Sequence, residues 1–98
     1  MSADPPLEPA AIQSALAALP GWSVDGDSLT KEYTFADFRA ALVFMMQVGF
    51  EADAMDHHPE WTNVYDTVTV RLRTHHAGNK ITAKDITLAT AMEKIVTA

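Results

Sequence analysis

The sequence contains no cysteine among its 98 residues. This absence excludes disulfide bonds, thiolate metal sites and thiol nucleophiles. Basic residues are also scarce: 7 lysines and arginines stand against 13 aspartates and glutamates, so the formal net charge is −6. Because a nucleic-acid backbone or an anionic membrane is bound by a basic surface, we expect neither as the main partner. A neutral or polar small molecule remains open.

Long apolar runs and common nucleotide motifs are missing as well. No stretch reaches the roughly 18 apolar residues of a membrane-spanning helix, and residues 1–6 lack the basic and apolar segments of a secretory signal. We therefore expect a cytoplasmic protein. The sequence also has no Gly-rich phosphate-binding loop and no H-E-x-x-H metal motif.

What is present is the composition of one folded domain. Apolar residues make up 48% and charged residues 20% of a chain of 98 residues, which is typical of a single globular unit. Residues 1–7 contain an acid and two adjacent prolines, so we expect them to form a flexible N-terminal arm. Residues 8–98 are then the domain.

The positions of prolines, glycines and turn residues predict three helices and four strands. Pro9 opens a first helix, which Pro20 and Gly21 end, and the Asp-Gly-Asp turn at 25–27 joins two short strands. Two further strands are predicted at 61–64 and 68–72, with one long strand over 63–74 as the alternative. The order α-β-β-α-β-β-α predicts an α+β fold, in which three helices pack on one face of a four-stranded antiparallel sheet.

The second helix has too many apolar residues for one buried face. The spacing of Thr34 and Asp37 predicts a capping box at its start, and Pro59 predicts its end near Asp56. The stripe expected to face the core consists of Phe38, Leu42, Met45, Gly49 and Ala52. Because other apolar residues lie off that stripe, we expect a second contact surface and hence a homodimer or homotetramer.

All four histidines occur in two adjacent pairs at predicted element ends. His57 and His58 follow the second helix, and His75 and His76 follow the fourth strand, where an extended chain would point them in opposite directions. Asp53, one helical turn before His57, or Asp85, in the capping box that Thr82 begins at the third helix, could orient an imidazole.

Three interpretations of these pairs stay open at this point. The histidines could be surface residues without a function. Alternatively, three of them together with a carboxylate could bind zinc or iron. The third interpretation is acid/base chemistry without a metal, since histidine with an unperturbed pKa of about 6.5 exists in both protonation states near neutrality. Trp61 fits the core better than a ligand platform, and Arg71 and Arg73 are expected to be solvated and receive no role.

The residues around these pairs closely resemble the pterin-4a-carbinolamine dehydratases, a family also known in animals as a dimerisation cofactor of a homeodomain transcription factor. The resemblance runs from Gly21 to about Ile95. Its most specific parts are the segments FADF at 35–38, DHHPEW at 56–61 and TH at 74–75, followed by Gly78, Thr82 and Asp85.

The resemblance implies a fold, an activity and partners. It implies an α+β domain that forms dimers or tetramers and dehydrates 4a-hydroxytetrahydropterin to quinonoid dihydropterin, with no cofactor and no metal. The product would be reduced back to tetrahydropterin for an aromatic amino acid hydroxylase, a possible functional partner. Two alternatives stay open: a pterin-binding or protein-interaction module without catalysis, and a role related to molybdopterin.

The resemblance also assigns residues to the site. It implies catalysis by His57, His58 and His75, and we expect His57 and His75 to be the acid/base pair and His58 mainly to bind the pterin. The remaining assignments follow by matching position. The substrate-binding set is His57, His58, Pro59, Thr74, His75, His76 and Ala77, and the supporting set is Asp53, Trp61 and Asp85. Asp53 stands where the family often has glutamate.

Overall fold

The computed structural model describes residues 4–98 and has the predicted order of elements. The helices are α1 (Pro9–Leu16), α2 (Phe38–Ala54) and α3 (Ala83–Thr97), with a short 3-10 helix at His75–Ala77. The strands are β1 (Ser23–Asp25), β2 (Ser28–Thr34), β3 (Glu60–Val64) and β4 (Thr67–Leu72). They form one antiparallel sheet in the order β1-β2-β4-β3. The predicted α+β class is confirmed.

A tight turn separates β3 from β4, so the alternative of one long strand is wrong. Tyr65 adopts a left-handed conformation with φ of 51°, which reverses the chain between the two strands. The side chain of Asn63 donates hydrogen bonds to the carbonyl oxygens of Tyr65 and Thr67 and holds the turn closed. The two strands then pair in register, with Val64 opposite Thr67.

One face of the sheet carries the core. Leu29 and Tyr33 of β2 lie opposite Leu72 and Val68 of β4, and all four side chains are buried. Glu32 and Thr69, at alternate positions of the same strands, lie on the other face and are exposed. This period of two is the pattern of an antiparallel sheet covered on one side.

Helix α2 buries a different stripe from the predicted one. Its N-cap is Asp37, whose carboxylate accepts a hydrogen bond from the Ala40 N–H, so the predicted capping box beginning at Thr34 is wrong. The buried residues are Ala41, Phe44, Val48 and Ala52. A second set of apolar side chains is exposed, and we call it the α2 apolar face: Phe38, Leu42, Val43, Met46 and Phe50. Because the helix is apolar nearly all round, its sequence does not determine which stripe faces the core.

Helix α3 begins where the second predicted capping box places it. The Thr82 side chain accepts from the Lys84 N–H and the Asp85 carboxylate accepts from the Thr82 N–H. The helix buries Leu88, Ala89 and Met92 against the core. Val96, near the end of the helix, is exposed.

The carboxylate of Glu93 ties α3 to the first hairpin. One oxygen of Glu93 accepts hydrogen bonds from Trp22, Lys31 and Tyr33. Burial alone would raise the pKa of Glu93, but the hydrogen bonds from Lys31 and Tyr33 and the charge of Lys31 lower it overall. Burial and the neighbouring Glu93 carboxylate raise the pKa of Tyr33.

The chain before α1 contacts the domain where the structure describes it. The Leu7 N–H donates to the Ile81 carbonyl at 2.8 Å, and the Leu7 side chain packs against the core. The Asp4 carboxylate lies 3.1 Å from Nε2 of His76. Residues 1–3 of the predicted arm lie outside the described residues. Within residues 4–98, no helix combines the length and the apolar character required to cross a bilayer.

Candidate active site

The first histidine pair is positioned by the C-terminus of α2. The His57 N–H donates to the Ala52 carbonyl at 3.0 Å, and the Asp56 N–H donates to the Asp53 carbonyl at 3.1 Å. These two hydrogen bonds, with Asp56 in the left-handed region at φ of 52°, form a Schellman motif. The motif turns the chain sharply, so that His57 is buried while His58 remains exposed.

The second pair lies in a compact turn after β4. His75 and His76 belong to the 3-10 helix, which Gly78 ends with φ of 74°. Thr74 anchors the turn: its N–H donates to the Lys80 carbonyl, and its own carbonyl accepts from the Asn79 N–H. The extended geometry expected for this pair is therefore wrong, because the chain leaves the sheet after Leu72 and coils before α3.

A fully buried carboxylate, Asp85, connects the two segments. Its Oδ1 lies 2.6 Å from Nε2 of His57, and its Oδ2 accepts from the Thr74 hydroxyl and the Thr82 N–H, both at 2.9 Å. A carboxylate that already accepts from two donors is an acceptor for the ring as well, so His57 donates from Nε2. In a neutral ring, Nδ1 of His57 is then the nitrogen with the lone pair that can accept a hydrogen bond.

All four imidazoles line one hollow of about 190 Å³. The full set of lining residues is Asp56, His57, His58, Arg73, His75 and His76. Side chains from two distant segments of the chain therefore face a shared space. The four rings differ in their partners: within residues 4–98, the ring of His75 has none, and the ring of His58 is exposed and lies 3.5 Å from Asp53.

A second hollow, of about 390 Å³, adjoins the first. Its lining shares His58, Arg73 and His75 with the first hollow and adds Pro59, Glu60 and Arg71. Small-molecule sites in proteins usually measure roughly 300–1,000 Å³. The two hollows together therefore offer space for a small heterocycle with a substituent.

The remaining residues of the expected site lie around or beneath the hollows. Thr74 is fully buried beneath them, and Ala77 ends the 3-10 helix. Trp61 lies on the core face of β3, where it is partly buried against the core. Asp53 faces His58 rather than His57, because the Schellman turn directs His57 towards Asp85.

Arg73 and Asp56 line the histidine hollow, although the sequence suggested a role for neither. Arg73 was expected to be solvated, yet it borders both hollows. The signal that could have identified it is its position two residues after Arg71, which places it on the outer side of the sheet just before the second histidine pair.

The metal interpretation needs at least three histidine or carboxylate side chains around one point. Residues 4–98 contain no group of three or more such side chains in an arrangement that could hold a metal ion. What the arrangement offers is proton transfer, because the His57 imidazole, held by a buried carboxylate, faces the same space as the His75 imidazole, which has no partner within residues 4–98.

The comparisons with known proteins point to one family. The family model described as pterin 4 alpha carbinolamine dehydratase matches residues 5–95. The chain belongs to this family. The resemblance noted in the sequence is thus confirmed, and it extends over α1 as well as over the two histidine segments.

Individual relatives of the dehydratase family cover nearly the whole chain. A protein of Opitutus terrae, provisionally named pterin-4-alpha-carbinolamine dehydratase, is 56% identical over 91% of this chain and 92% of its own length. A protein of Rhizobium rhizogenes with the same provisional name is 48% identical over 90% of this chain and 88% of its own. The crystal structure of a transcriptional coactivator/pterin dehydratase from Brucella melitensis superposes with a TM-score of 0.87 at 42% identity, covering 92% of this chain and 97% of that one.

Proposed function

We propose that this protein is a pterin-4a-carbinolamine dehydratase, a hydro-lyase that converts 4a-hydroxytetrahydropterin to quinonoid dihydropterin. The observation that carries the proposal is the shared hollow, in which imidazoles from two chain segments meet and one of them is held by the buried Asp85. Family membership and the names of the relatives support the same substrate class.

The reaction needs one proton delivered and one removed. The bond between C4a and the hydroxyl oxygen breaks as that oxygen takes a proton and leaves as water. The lone pair of the neighbouring ring nitrogen forms the new double bond, and this nitrogen gives up its proton. No net proton is consumed, so one acid and one base can serve successive turnovers.

We assign the base to His57 and the acid to His75. Donation from Nε2 to Asp85 leaves the Nδ1 lone pair of His57 to accept the proton from the ring nitrogen. The exposed imidazole of His75 can exchange its proton with solvent between turnovers. His58, His76 and Pro59 border the hollows and serve mainly to bind the pterin.

The test is a dehydratase assay with carbinolamine generated chemically in the reaction mixture. We expect wild type to accelerate the loss of water, and the His57→Ala and His75→Ala variants to be slower by about 10²-fold, which is typical for one positioned proton transfer. Glu32→Gln, on the exposed face of the sheet, is the control and should retain the wild-type rate. Pterin binding without any turnover by wild type would reject the catalytic proposal in favour of a binding module.

In the cell, the product of this reaction must be reduced before it can serve again as tetrahydropterin. We propose that the protein acts in this recycling, coupled to an aromatic amino acid hydroxylase that forms the carbinolamine. The test is a coupled reaction with a hydroxylase and a dihydropterin reductase, in which adding this protein should prevent accumulation of the carbinolamine. Unchanged carbinolamine levels would reject the coupling.

We also propose that the protein is a homodimer or homotetramer joined through the α2 apolar face. Met46 and Phe50 are 64% and 71% exposed there, and apolar side chains of this size are normally covered. A second copy is the simplest partner, since it presents the same surface. Sedimentation of the wild type at micromolar concentration tests this assembly.

A further inference from the structure

The side chain of Arg73 occupies the boundary between the two hollows. It follows β4 directly, two residues after Arg71 and on the same outer side of the sheet. It lines the histidine hollow together with His57 and also lines the adjoining hollow together with Glu60. A ligand that filled both hollows would therefore pass the guanidinium group of Arg73.

The contacts of this guanidinium group are poor for a residue in such a place. One terminal nitrogen lies 3.2 Å from Oε1 of Glu60, in a pair whose side chains are 38% and 60% exposed. Ion pairs this exposed contribute little to stability. The Nε atom of Arg73 is buried and has no hydrogen-bond partner within residues 4–98. An unsatisfied buried donor costs more free energy than the exposed pair with Glu60 returns.

We infer that Arg73 is a substrate-binding residue, which turns from Glu60 and donates a hydrogen bond to an acceptor oxygen of the bound pterin. This inference rests on the proposed function. Arginine has donors only and stays charged, so its partner must be an acceptor and it moves no proton. On a pterin, the acceptor oxygens are the 4-oxo group of the ring and any hydroxyl of the substituent. Because neighbouring atoms cover Nε, the ligand meets this donor only after the guanidinium group turns.

Two substitutions at Arg73 distinguish the contribution of its hydrogen-bond donors from the contributions of its aliphatic chain and its charge. Arg73→Met keeps an unbranched stem and removes all donors, whereas Arg73→Lys keeps the charge and removes the planar array of donors. In the carbinolamine assay we expect Arg73→Met to raise KM about tenfold with kcat within about twofold of wild type, and Arg73→Lys to recover only part of the loss. An unchanged KM in both variants would overturn the inference.

Stable ligands identify the acceptor and do not depend on turnover. Binding is measured by titration followed by pteridine fluorescence, with two pairs of ligands. The first pair is a 2-amino-4-oxo-dihydropteridine and its 2,4-diamino counterpart, and the second pair carries either a dihydroxypropyl or a methyl substituent at C6. If the 4-oxo group is the acceptor, Arg73→Met loses the binding preference that wild type shows within the first pair, and if a side-chain hydroxyl is the acceptor, it loses the preference within the second pair. Equal preferences of wild type and variant in both pairs would overturn the inference.

The control is Lys94→Met, which removes one exposed cation near the C-terminus of α3, the end opposite Asp85. It makes the same change of charge as Arg73→Met and should leave KM and both preferences unchanged. A wild type that binds pteridines through Arg73 but shows no turnover would reject the proposed dehydratase activity and retain this inference. A failure of the proposed dehydratase activity can therefore be distinguished from a failure of the inference about Arg73.

Discussion

The buried carboxylate of Asp85 organises both histidine segments at the scale of single residues. It accepts from the Thr82 N–H and the Thr74 hydroxyl, and it fixes Nε2 of His57 at 2.6 Å. The Thr74 and Thr82 hydroxyls are also in contact at 2.7 Å. The network is closed off from solvent, because Thr74, Thr82 and Asp85 are each 0% exposed. The orientation of His57 thus depends on a residue 28 positions away in the sequence.

Substituting Asn for Asp85 should slow catalysis more than it disturbs the fold. The amide keeps the size of the side chain but loses the charge and one acceptor, so His57 is no longer held as a donor at Nε2. We expect Asp85→Asn to lower the single-turnover rate of dehydration roughly 10- to 100-fold. Rapid-quench measurement of carbinolamine loss checks this.

The matched control for this change is Asp66→Asn, in the turn between β3 and β4 at the opposite end of β4 from Arg73. It should keep the wild-type rate. A rate for Asp85→Asn equal to that of the control would show that the buried carboxylate does not act through His57.

Sequence reasoning identified the histidines and both candidate carboxylates, but not which carboxylate holds which ring. Both Asp53 and Asp85 were candidates to orient an imidazole, and the choice between them depends on the Schellman turn at Asp56, which places a non-glycine residue in the left-handed region. Such a conformation costs an L-residue roughly 1–2 kcal/mol and is not evident from the residue type. Arg73 was missed for a similar reason, since His57 and Glu60, which border the hollows with it, come from another segment.

At the scale of elements, the start of α3 combines a structural and a positioning task. The capping box at Thr82 satisfies free N–H groups of the first turn, and the same Asp85 side chain holds His57. Removing the Thr82 hydroxyl eliminates an acceptor for the Lys84 N–H and a contact of Thr74.

We expect Thr82→Ala to lower the free energy of unfolding by about 1–2 kcal/mol, the usual cost of losing an N-cap with a further hydrogen bond. Urea denaturation measures this value. Thr87→Ala, on the exposed side of the same helix, is the control, and its free energy of unfolding should change by less than about 0.5 kcal/mol. Equal values for the two variants would mean that the cap does not stabilise α3.

The contact between α3 and the first hairpin should depend on pH through Glu93. Because Lys31 and Tyr33 lower the pKa of Glu93 below its ordinary value of 4.5, the folded state favours the ionised carboxylate. This contribution to stability is present above pH 4.5 and is lost as the pH falls through the lowered pKa. Replacing Glu93 with Gln should remove it, so the stability of Glu93→Gln should fall less steeply than that of wild type below pH 4.5.

Thermal unfolding of wild type and Glu93→Gln between pH 3 and pH 7 checks this prediction. Glu51→Gln, at an exposed position of α2, provides the comparison and should keep the wild-type slope. Parallel curves for wild type and Glu93→Gln would contradict the assigned role of the carboxylate.

The elements themselves were largely predictable, whereas the packing of α2 was not. Alternation in the strands and the Asp-Gly-Asp turn define the first hairpin, and the Thr82 capping box defines the start of α3, because these signals are local. In α2, however, apolar residues surround the axis, and two acceptors, Thr34 and Asp37, compete as the N-cap. Only contacts with the rest of the fold, α3 as well as the sheet, select Phe44 and Val48 for burial.

At the scale of the whole molecule, the α2 apolar face is the main apolar surface that a single copy exposes within residues 4–98. Phe38, Leu42 and Val43 are exposed beside Met46 and Phe50, and their side chains do not support the core. A substitution there should consequently change assembly and leave the fold of each copy intact.

We expect Met46→Glu to shift the protein towards monomers, because a charge would have to be buried in an apolar interface. Sedimentation velocity at micromolar concentration gives the mass of each species. Thr87→Glu introduces the same charge on the exposed side of α3 and should sediment like wild type. A wild type that sediments as a monomer would contradict the proposed assembly.

The most direct test of the account is a double-mutant cycle on His57 and His75, read as single-turnover rates of carbinolamine dehydration. If the two imidazoles act on one substrate in the shared hollow, removing either removes most of the acceleration. The double variant should then be scarcely slower than the slower single variant. Rates that fall by the full product of the two single effects, or a single variant that retains the wild-type rate, would contradict it.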